Sequence, residues 1–252
     1  MRVERICRYP VKGLSPEAME EVRLEVGQCL PEDRLMALAQ ADAAFDVEKP
    51  SWARKTNFAC LAANARLALL HTAYDPASRT LVIRPPEGAP VVADLSAPAG
   101  RAAVEDFVTG WLGEQARGRL RLVQAEGHRF TDIPDKAVSI IGLASLAALE
   151  QATGQALDPL RFRANIYVSG GLPWQEFDWL GQEIMLGRAK LRVFKRTQRC
   201  AATEVNPRTG ERDATPPRSL RQHFGHLDLG IYATVIEAGT VAVGDALEPI
   251  LP

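Results

Sequence analysis

The chain has 252 residues, 30 of them lysine or arginine and 31 aspartate or glutamate, for a net charge of −1. That length suits one large domain or two small interleaved ones, and the charge balance gives none of the global basic field that nucleic-acid binders carry. The N-terminus, MRVERICRYPVKGL, lacks an apolar core of signal-peptide length, and no stretch approaches the ~20 apolar residues of a membrane span, so a cytoplasmic protein with no membrane or nucleic-acid partner is expected.

In chain order, residues 2–9 alternate apolar and charged positions until Pro10, and Glu21–Val26 (EVRLEV) alternates strictly; both read as strands. Arg34–Gln40 reads as a strand after the Pro31 turn, Asp42–Thr56 has no period and reads as a loop, and Phe58–Ala65 reads as a short helix. Leu67–Tyr74, Thr80–Arg84 and Val91–Asp94 are β-prone runs separated by DPAS and PPEG breakers, a small meander. Val104, Phe107, Val108, Trp111 and Leu112 recur at helical spacing, which predicts an amphipathic helix over 99–112 with a core-facing stripe. A strand follows at Arg119–Val123, then a polar loop at Glu126–Asp135, an apolar run at Val138–Ile141 and a helix from Ala144 that stops at Gly154. RFRANIYVSG predicts a strand with Arg161, Arg163 and Asn165 at its start. Ile184–Leu186 and Lys190–Phe194 read as strands joined at Gly187, the second leading into Cys200; Ile231–Glu237 is another strand, and AGTVAVGDALEPI a Gly-turned strand pair. Many short strands with two or three helices predict a mainly β (α+β) fold, a closed or nearly closed barrel with appended helices.

Four cysteines at 7, 29, 60 and 200 form no CxxC pair and no disulfide framework. No GxGxxG, Walker-type loop or nucleophile elbow is present, and Gly170-Gly171 reads as a turn. His223 and His226, three apart with Asp228 beyond, lack a third ligand and read as surface or packing residues. The stretch with chemical content is Arg196–Asp213, RTQRCAATEVNPRTGERD, in which Cys200 follows Arg199 and Lys195, Arg196, Arg208 and Arg212 lie close in sequence. Cations favour the thiolate, the form that attacks and that binds soft metals, whereas a lone cysteine is also a common inert core residue; local sequence leaves both readings open. Lys12, Arg34, Arg161, Arg163 and Arg199 are a dispersed cation set that folding can gather round an anionic cofactor whose metal meets the thiolate, with the Asn165 amide available to a pterin-like ring.

RFRANIYVSG, the acidic aromatic segment ending in Trp179, the Leu-Gly turn and RTQRCAATEVNPRTG together resemble the MOSC domain, named for the C-terminal region of molybdenum cofactor sulfurases. YPVKGL and PEDRLMAL resemble the N-terminal β-barrel-like region that accompanies it, so the resemblance spans nearly the whole chain, as 1–95 plus a MOSC domain at 96–252 in one interleaved unit. The subgroup it is most similar to is the amidoxime-reducing component and its bacterial relatives. The resemblance implies a molybdopterin-type cofactor with Cys200 as metal ligand and catalytic residue. It assigns Lys12, Gly13, Arg34, Arg163, Asn165, Arg199 and Tyr232 to cofactor binding, and Thr203 and Asn206 to the turn behind the cysteine.

It further implies reduction of small N-hydroxylated or N-oxide substrates. The sequence runs out after the terminal strands without the cysteines of the iron–sulfur domain that some bacterial relatives carry, so a separate donor (ferredoxin, flavoprotein or similar reductase) is expected to supply electrons. A persulfide carrier on Cys200 and a cofactor carrier without turnover are the competing readings. Gly13, Ala164, Gln198 and Asn206 stand where the family often has Ser, Pro, Ser and Asp, and the hydroxyl contacts at 13 and 198 are expected to be missing.

Overall fold

The alternating segments become short strands whose apolar residues fill a barrel interior and a second core beside it. The computed structural model describes residues 1–250. In order the elements are β1 (Arg2–Arg8), β2 (Glu17–Met19), β3 (Glu21–Leu24), β4 (Ala37–Ala39), β5 (His71–Asp75), β6 (Thr80–Arg84), β7 (Val91–Asp94), α1 (Pro98–Leu112), β8 (Arg121–Val123), β9 (Val138–Gly142), α2 (Leu143–Thr153), β10 (Ile166–Ser169), β11 (Glu183–Leu186), β12 (Ala189–Gln198), α3 (Pro216–Phe224), β13 (Asp228–Glu237), β14 (Gly239–Ala242) and β15 (Leu247–Pro249).

Eight strands form one sheet in the order β15-β11-β12-β13-β9-β10-β1-β2. It curls until β15 reaches the start of β1: the Met1 and Leu247 main chains exchange hydrogen bonds of 3.0 and 2.9 Å, and Val3 N–H donates to Asp245 O at 2.9 Å. The interior is filled by alternate residues such as Ile6, Ile140, Ile166, Val168, Leu191, Val193, Ile231 and Ala233. β9 is buried along its whole length because its other face is covered too: Ile141 and Tyr167 pack with Leu146 and Leu149 of α2 and Leu220 of α3. This explains why VSIIG shows no alternation. α2 is the crossover that lets β9 and β10 run parallel.

A second core lies under the β5-β6-β7 meander, where Tyr74, Leu81, Ile83 and Ala93 pack with Val104, Val108 and Leu112 of α1. The first and second halves of the chain are stitched by β1 with β10, β3 with β14, and β4 with β8.

Several expectations are corrected. Phe58–Ala65 is not a helix: Phe58 bridges to Ala39 in extended conformation, and a 3-10 turn begins only at Ala65. The segment PPRSLRQHF, for which no element is expected above, forms α3, marked by Pro216 and Pro217 in its first turn and by Gly225 at its left-handed cap. Its nine residues are mostly polar, and only Pro216 and Leu220 are buried. Arg161 and Arg163 belong to a 3-10 turn and its left-handed cap, not to β10. The predicted strand at 34–40 shortens to β4, leaving Arg34 in a turn. The two terminal strands pair with β3 and β11 instead of with each other.

At Gly230 on β13 the backbone has φ +81°, and an added Cβ would meet Ile140 O at 2.4 Å and Ile141 Cγ1 at 2.7 Å. Gly127 has φ +66° with nothing near its Cβ position. Gly230→Ala is therefore expected to destabilise by about 2–5 kcal/mol, strain plus overpacking, against about 1–2 kcal/mol for Gly127→Ala. The difference between their urea midpoints checks it.

Candidate functional site

Where the strand ends of the barrel face loops from the first half of the chain, they enclose a cavity of about 510 Å³. β12 runs to its rim, and its pairing with β13 shifts register between Val193 and Lys195 and again between Arg196 and Gln198. Such bulges re-aim side chains, and Lys195, Arg196 and Thr197 in succession line the cavity. Every predicted site residue is brought to it: Lys12, Gly13, Arg34, Arg163, Asn165, Arg199, Cys200 and Tyr232. Nine cationic side chains line it against three acidic ones. A protein of net charge −1 thus concentrates positive charge in one place.

Arg34 and Arg163 are held alike. Both have positive φ, 46° and 52°, the left-handed conformation that costs a non-glycine residue about 1–2 kcal/mol. Both guanidinium groups pack over the fully buried Tyr9 ring, at 4.4 and 4.3 Å from its centroid. Arg34 donates to both oxygens of Asp33, at 2.7 and 2.6 Å, and to Arg163 O at 2.8 Å. Asp33 in turn accepts from Tyr9 N–H at 2.8 Å. Burial works against the Arg34 charge, but the Asp33 carboxylate outweighs it and raises the pKa. Arg163 has no such partner: among the described residues its side chain makes no hydrogen bond or ion pair, and burial lowers its pKa. Arg199 is buried as well and also lacks a carboxylate. It donates to Leu229 O from Nε at 2.8 Å and from Nη2, and to Phe162 O at 2.8 Å, while burial pulls its pKa down.

Lys12 donates to Phe130 O at 3.0 Å and to Asp132 at 2.5 Å. The surrounding loops work to raise the Asp132 pKa although its side chain is 57% exposed, yet Lys12, with Arg34 and Lys55 behind it, holds it down at about 2. Asn165 serves as a strut: its Oδ1 accepts from Ser139 N–H at 3.1 Å and Ser139 Oγ at 2.8 Å, and its Nδ2 donates to Cys7 O at 3.2 Å. These bonds tie β9, β10 and β1 together behind the cavity and leave one amide N–H for a ligand. Tyr232 stands half-buried on β13 beside Lys195, its phenol pKa raised by burial.

Cys200 caps the 3-10 turn Ala201–Glu204, its carbonyl accepting from Thr203 N–H at 3.0 Å and Thr203 Oγ1 at 2.9 Å. It is half-buried, whereas Cys7, Cys29 and Cys60 are buried. Two of the cations near it in sequence, Arg208 and Arg212, are engaged elsewhere. Arg212 clamps Ala201 O at 2.9 Å and Ala62 O at 2.7 Å, and Arg208 pairs with Asp158 at 3.2 Å. Neither lines the cavity. The cation beside the thiol is Lys55. Burial would lower its pKa, but the adjacent Cys200, with Asp132 and Cys60, raises it. Sequence reasoning missed Lys55, Arg54, Trp52 and Asp132, which come from loops without periodicity; the charged run around Trp52 in KPSWARKT was the available signal.

The unusual residues have local reasons. A Cβ at Gly13, φ +86°, would meet Ala59 O at 2.9 Å, so this residue offers backbone only. Ala164 N–H donates to Tyr167 Oη at 3.0 Å, a bond proline cannot make, and a proline there would disfavour the helical-type conformation of Arg163 before it. Asn206 Nδ2 donates to Asp213 at 2.7 Å, where an aspartate would set two carboxylates together. His226 packs against Trp174 and Phe177, its Nδ1 accepting from Asp228 N–H at 3.2 Å.

Fold and site define a barrel protein with the half-buried thiol of Cys200 in a cavity lined by an excess of cations. Residues 127–248 match the family model described as MOSC domain. Over 145 residues it is 30% identical to "Molybdenum cofactor sulfurase" of Drosophila melanogaster, covering 54% of this chain and 18% of that protein. Over 120 residues it is 29% identical to "Mitochondrial amidoxime reducing component 2" of Bos taurus, covering 43% of this chain and 35% of that protein. The matched part thus spans under a fifth of the sulfurase and about a third of the amidoxime reducing component. Among solved structures, the YUAD protein from Bacillus subtilis superposes over 98% of this chain and 94% of its own, with TM-score 0.46 and 16% identity. No helix among the described residues is long and apolar enough to cross a membrane.

Two outcomes follow from the electrostatics. The Asp132 pKa is depressed from 3.8 to about 2, so its ion pair contributes stability above pH ~4 that is lost as pH falls toward ~2. Asp132→Asn should flatten that part of the pH–stability curve, read from thermal midpoints. For the thiols, alkylation by iodoacetamide at pH 8 should modify Cys200 first, while Cys7, pushed up to about 11 by burial, reacts only after unfolding; peptide mass analysis over time checks it.

Proposed function

We propose that the cavity holds a pterin-based molybdenum cofactor and that the protein uses it to reduce N-hydroxylated or N-oxide compounds. The observation that carries this reading is the lone accessible thiol of Cys200 in a cavity where nine cations face three acids. The donor set fits the group. Arg163 is without a protein acceptor, and Thr197 Oγ1 is buried on the cavity wall with no hydrogen-bond partner. Among the described residues no three His, Cys, Asp or Glu side chains gather as a metal site, so Cys200 would be the one protein ligand and the pterin dithiolene would supply the others. When bound, the cofactor supplies the two-electron redox chemistry.

The chain's own residues have the remaining work. Arg163 and Arg34 would take the anionic end of the cofactor as planar donor forks, with Lys12 as a point charge. Arg199 braces the turn before Cys200, so the sulfur is held while the rim stays open. Lys55, an ammonium at the mouth beside the thiol, is placed to neutralise the thiolate and to hand a proton to a leaving hydroxyl. Electrons would come from a separate donor protein, for which the exposed cations Lys195 and Arg196 at the rim suit an acidic surface.

The name of the sulfurase relatives and the Lys55–Cys200 pairing also support a second reading, a sulfur carrier with a persulfide on Cys200. Protein made in a cofactor-competent host separates the two: stoichiometric molybdenum and pterin support the reductase, and metal-free protein with labile sulfane sulfur supports the carrier. Cys200→Ala should lower benzamidoxime reduction, assayed with a chemical donor, by at least about a hundredfold with an unchanged thermal midpoint. Wild-type turnover in that variant would sink the proposal.

A further inference from the structure

Behind the wall formed by Arg161, Arg163 and Leu61 lies a second cavity, of about 810 Å³, set between Leu14–Ala18 of the first half and the turns at 156–161 and 205–208 of the second. We propose that it is a binding site for a small organic anion with an apolar body. Its volume lies within the range of small-molecule sites. Much of its wall is apolar, from Leu14, Pro16, Leu157, Pro159, Leu160 and Pro207.

The polar groups on that wall decide the sign of the ligand. All three acidic side chains are already engaged. Glu150 accepts from Leu157 N–H at 2.6 Å; Asp158 accepts from Leu160 N–H at 3.0 Å and pairs with Arg208 at 3.2 Å; Asp213 accepts from Asn206 at 2.7 Å and from Arg161. The donors are not all answered. The Arg161 side chain is 2% exposed, and its Nε–H has no acceptor although both Nη groups do. Arg5, at the opening, makes no ion pair or side-chain hydrogen bond among the described residues. Arg161 lies on the wall that the two cavities share, and an anionic head group in this one would give its buried Nε–H an acceptor. A cationic ligand would find no free carboxylate, and a neutral apolar one would leave the donors unanswered. Cys7 also lines the cavity, but burial keeps it a thiol, so binding there is non-covalent.

The site does not depend on the first cavity holding a metal, and its test uses protein purified without cofactor. Isothermal titration with octanoate, octanol and octylammonium should show one saturable site for octanoate, with the neutral and cationic analogues weaker by at least about tenfold. Ala18→Trp and Ala156→Trp fill the rim at two exposed positions, and each should weaken octanoate by about tenfold or more, as should Arg5→Gln by a smaller factor. Equal binding of the three probes, no saturable octanoate binding, or wild-type affinity in both folded tryptophan variants would overturn the proposal. Molybdenum content and amidoxime reduction are measured on separate samples, so failure here leaves the reading of Cys200 standing, and the reverse.

Discussion

Burying guanidinium groups without a carboxylate for each is costly, and much of the polar architecture near the barrel mouth answers that cost. Arg34 is neutralised by Asp33, Arg161 by Asp213, and Lys12 by Asp132, while Arg199 is surrounded by main-chain carbonyls. Arg163, on the cavity wall, is met among the described residues by the Tyr9 ring and by no carboxylate. The excess is positive and confined to one place, which is what an anionic ligand requires. The left-handed backbones at Arg34 and Arg163 are the strain accepted to aim two guanidinium groups at one point.

Polar side chains also hold the halves of the chain together. Arg212 reaches from the cysteine turn to Leu61 and Ala62, and Asn165 links β9 to β1, while within the second half Arg161 reaches to Glu204 and Asp213. Cys200 therefore sits in a turn fixed from both sides, which gives a soft-metal ligand or a sulfur carrier a defined position without burying it. The second cavity is the other face of this seam, where turns from the two halves meet less closely and leave apolar space.

Much of this was legible in the sequence where a period or a turn residue imposed it. EVRL, TLVIR and VVAD became β3, β6 and β7, and the stripe through Val104, Val108 and Leu112 became the buried face of α1. α3 was not, because its residues are mostly polar and only two are buried, although Pro216 and Gly225 marked its ends. Phe58–Ala65 is helix-prone in composition, yet Phe58 is taken by Ala39 and packs with Phe45 and Phe130, so tertiary pairing overrode propensity. At the site, residues next to Cys200 in sequence suggested Arg208 and Arg212 as its cations, whereas the fold turned both outward as clamps and brought Lys55 in from 145 positions away.

By itself the sequence determined which side chains carry chemistry: one cysteine in a motif, a dispersed set of arginines and lysines, and enough alternation for a β barrel. Those follow from residue type and local spacing, which the chain states directly. Only the tertiary structure decided which cations face the thiol, which are neutralised, and that Asn165 braces the sheet. Electrostatic partnership depends on distances between segments far apart in sequence, and those are set by how the barrel closes and where its loops cross.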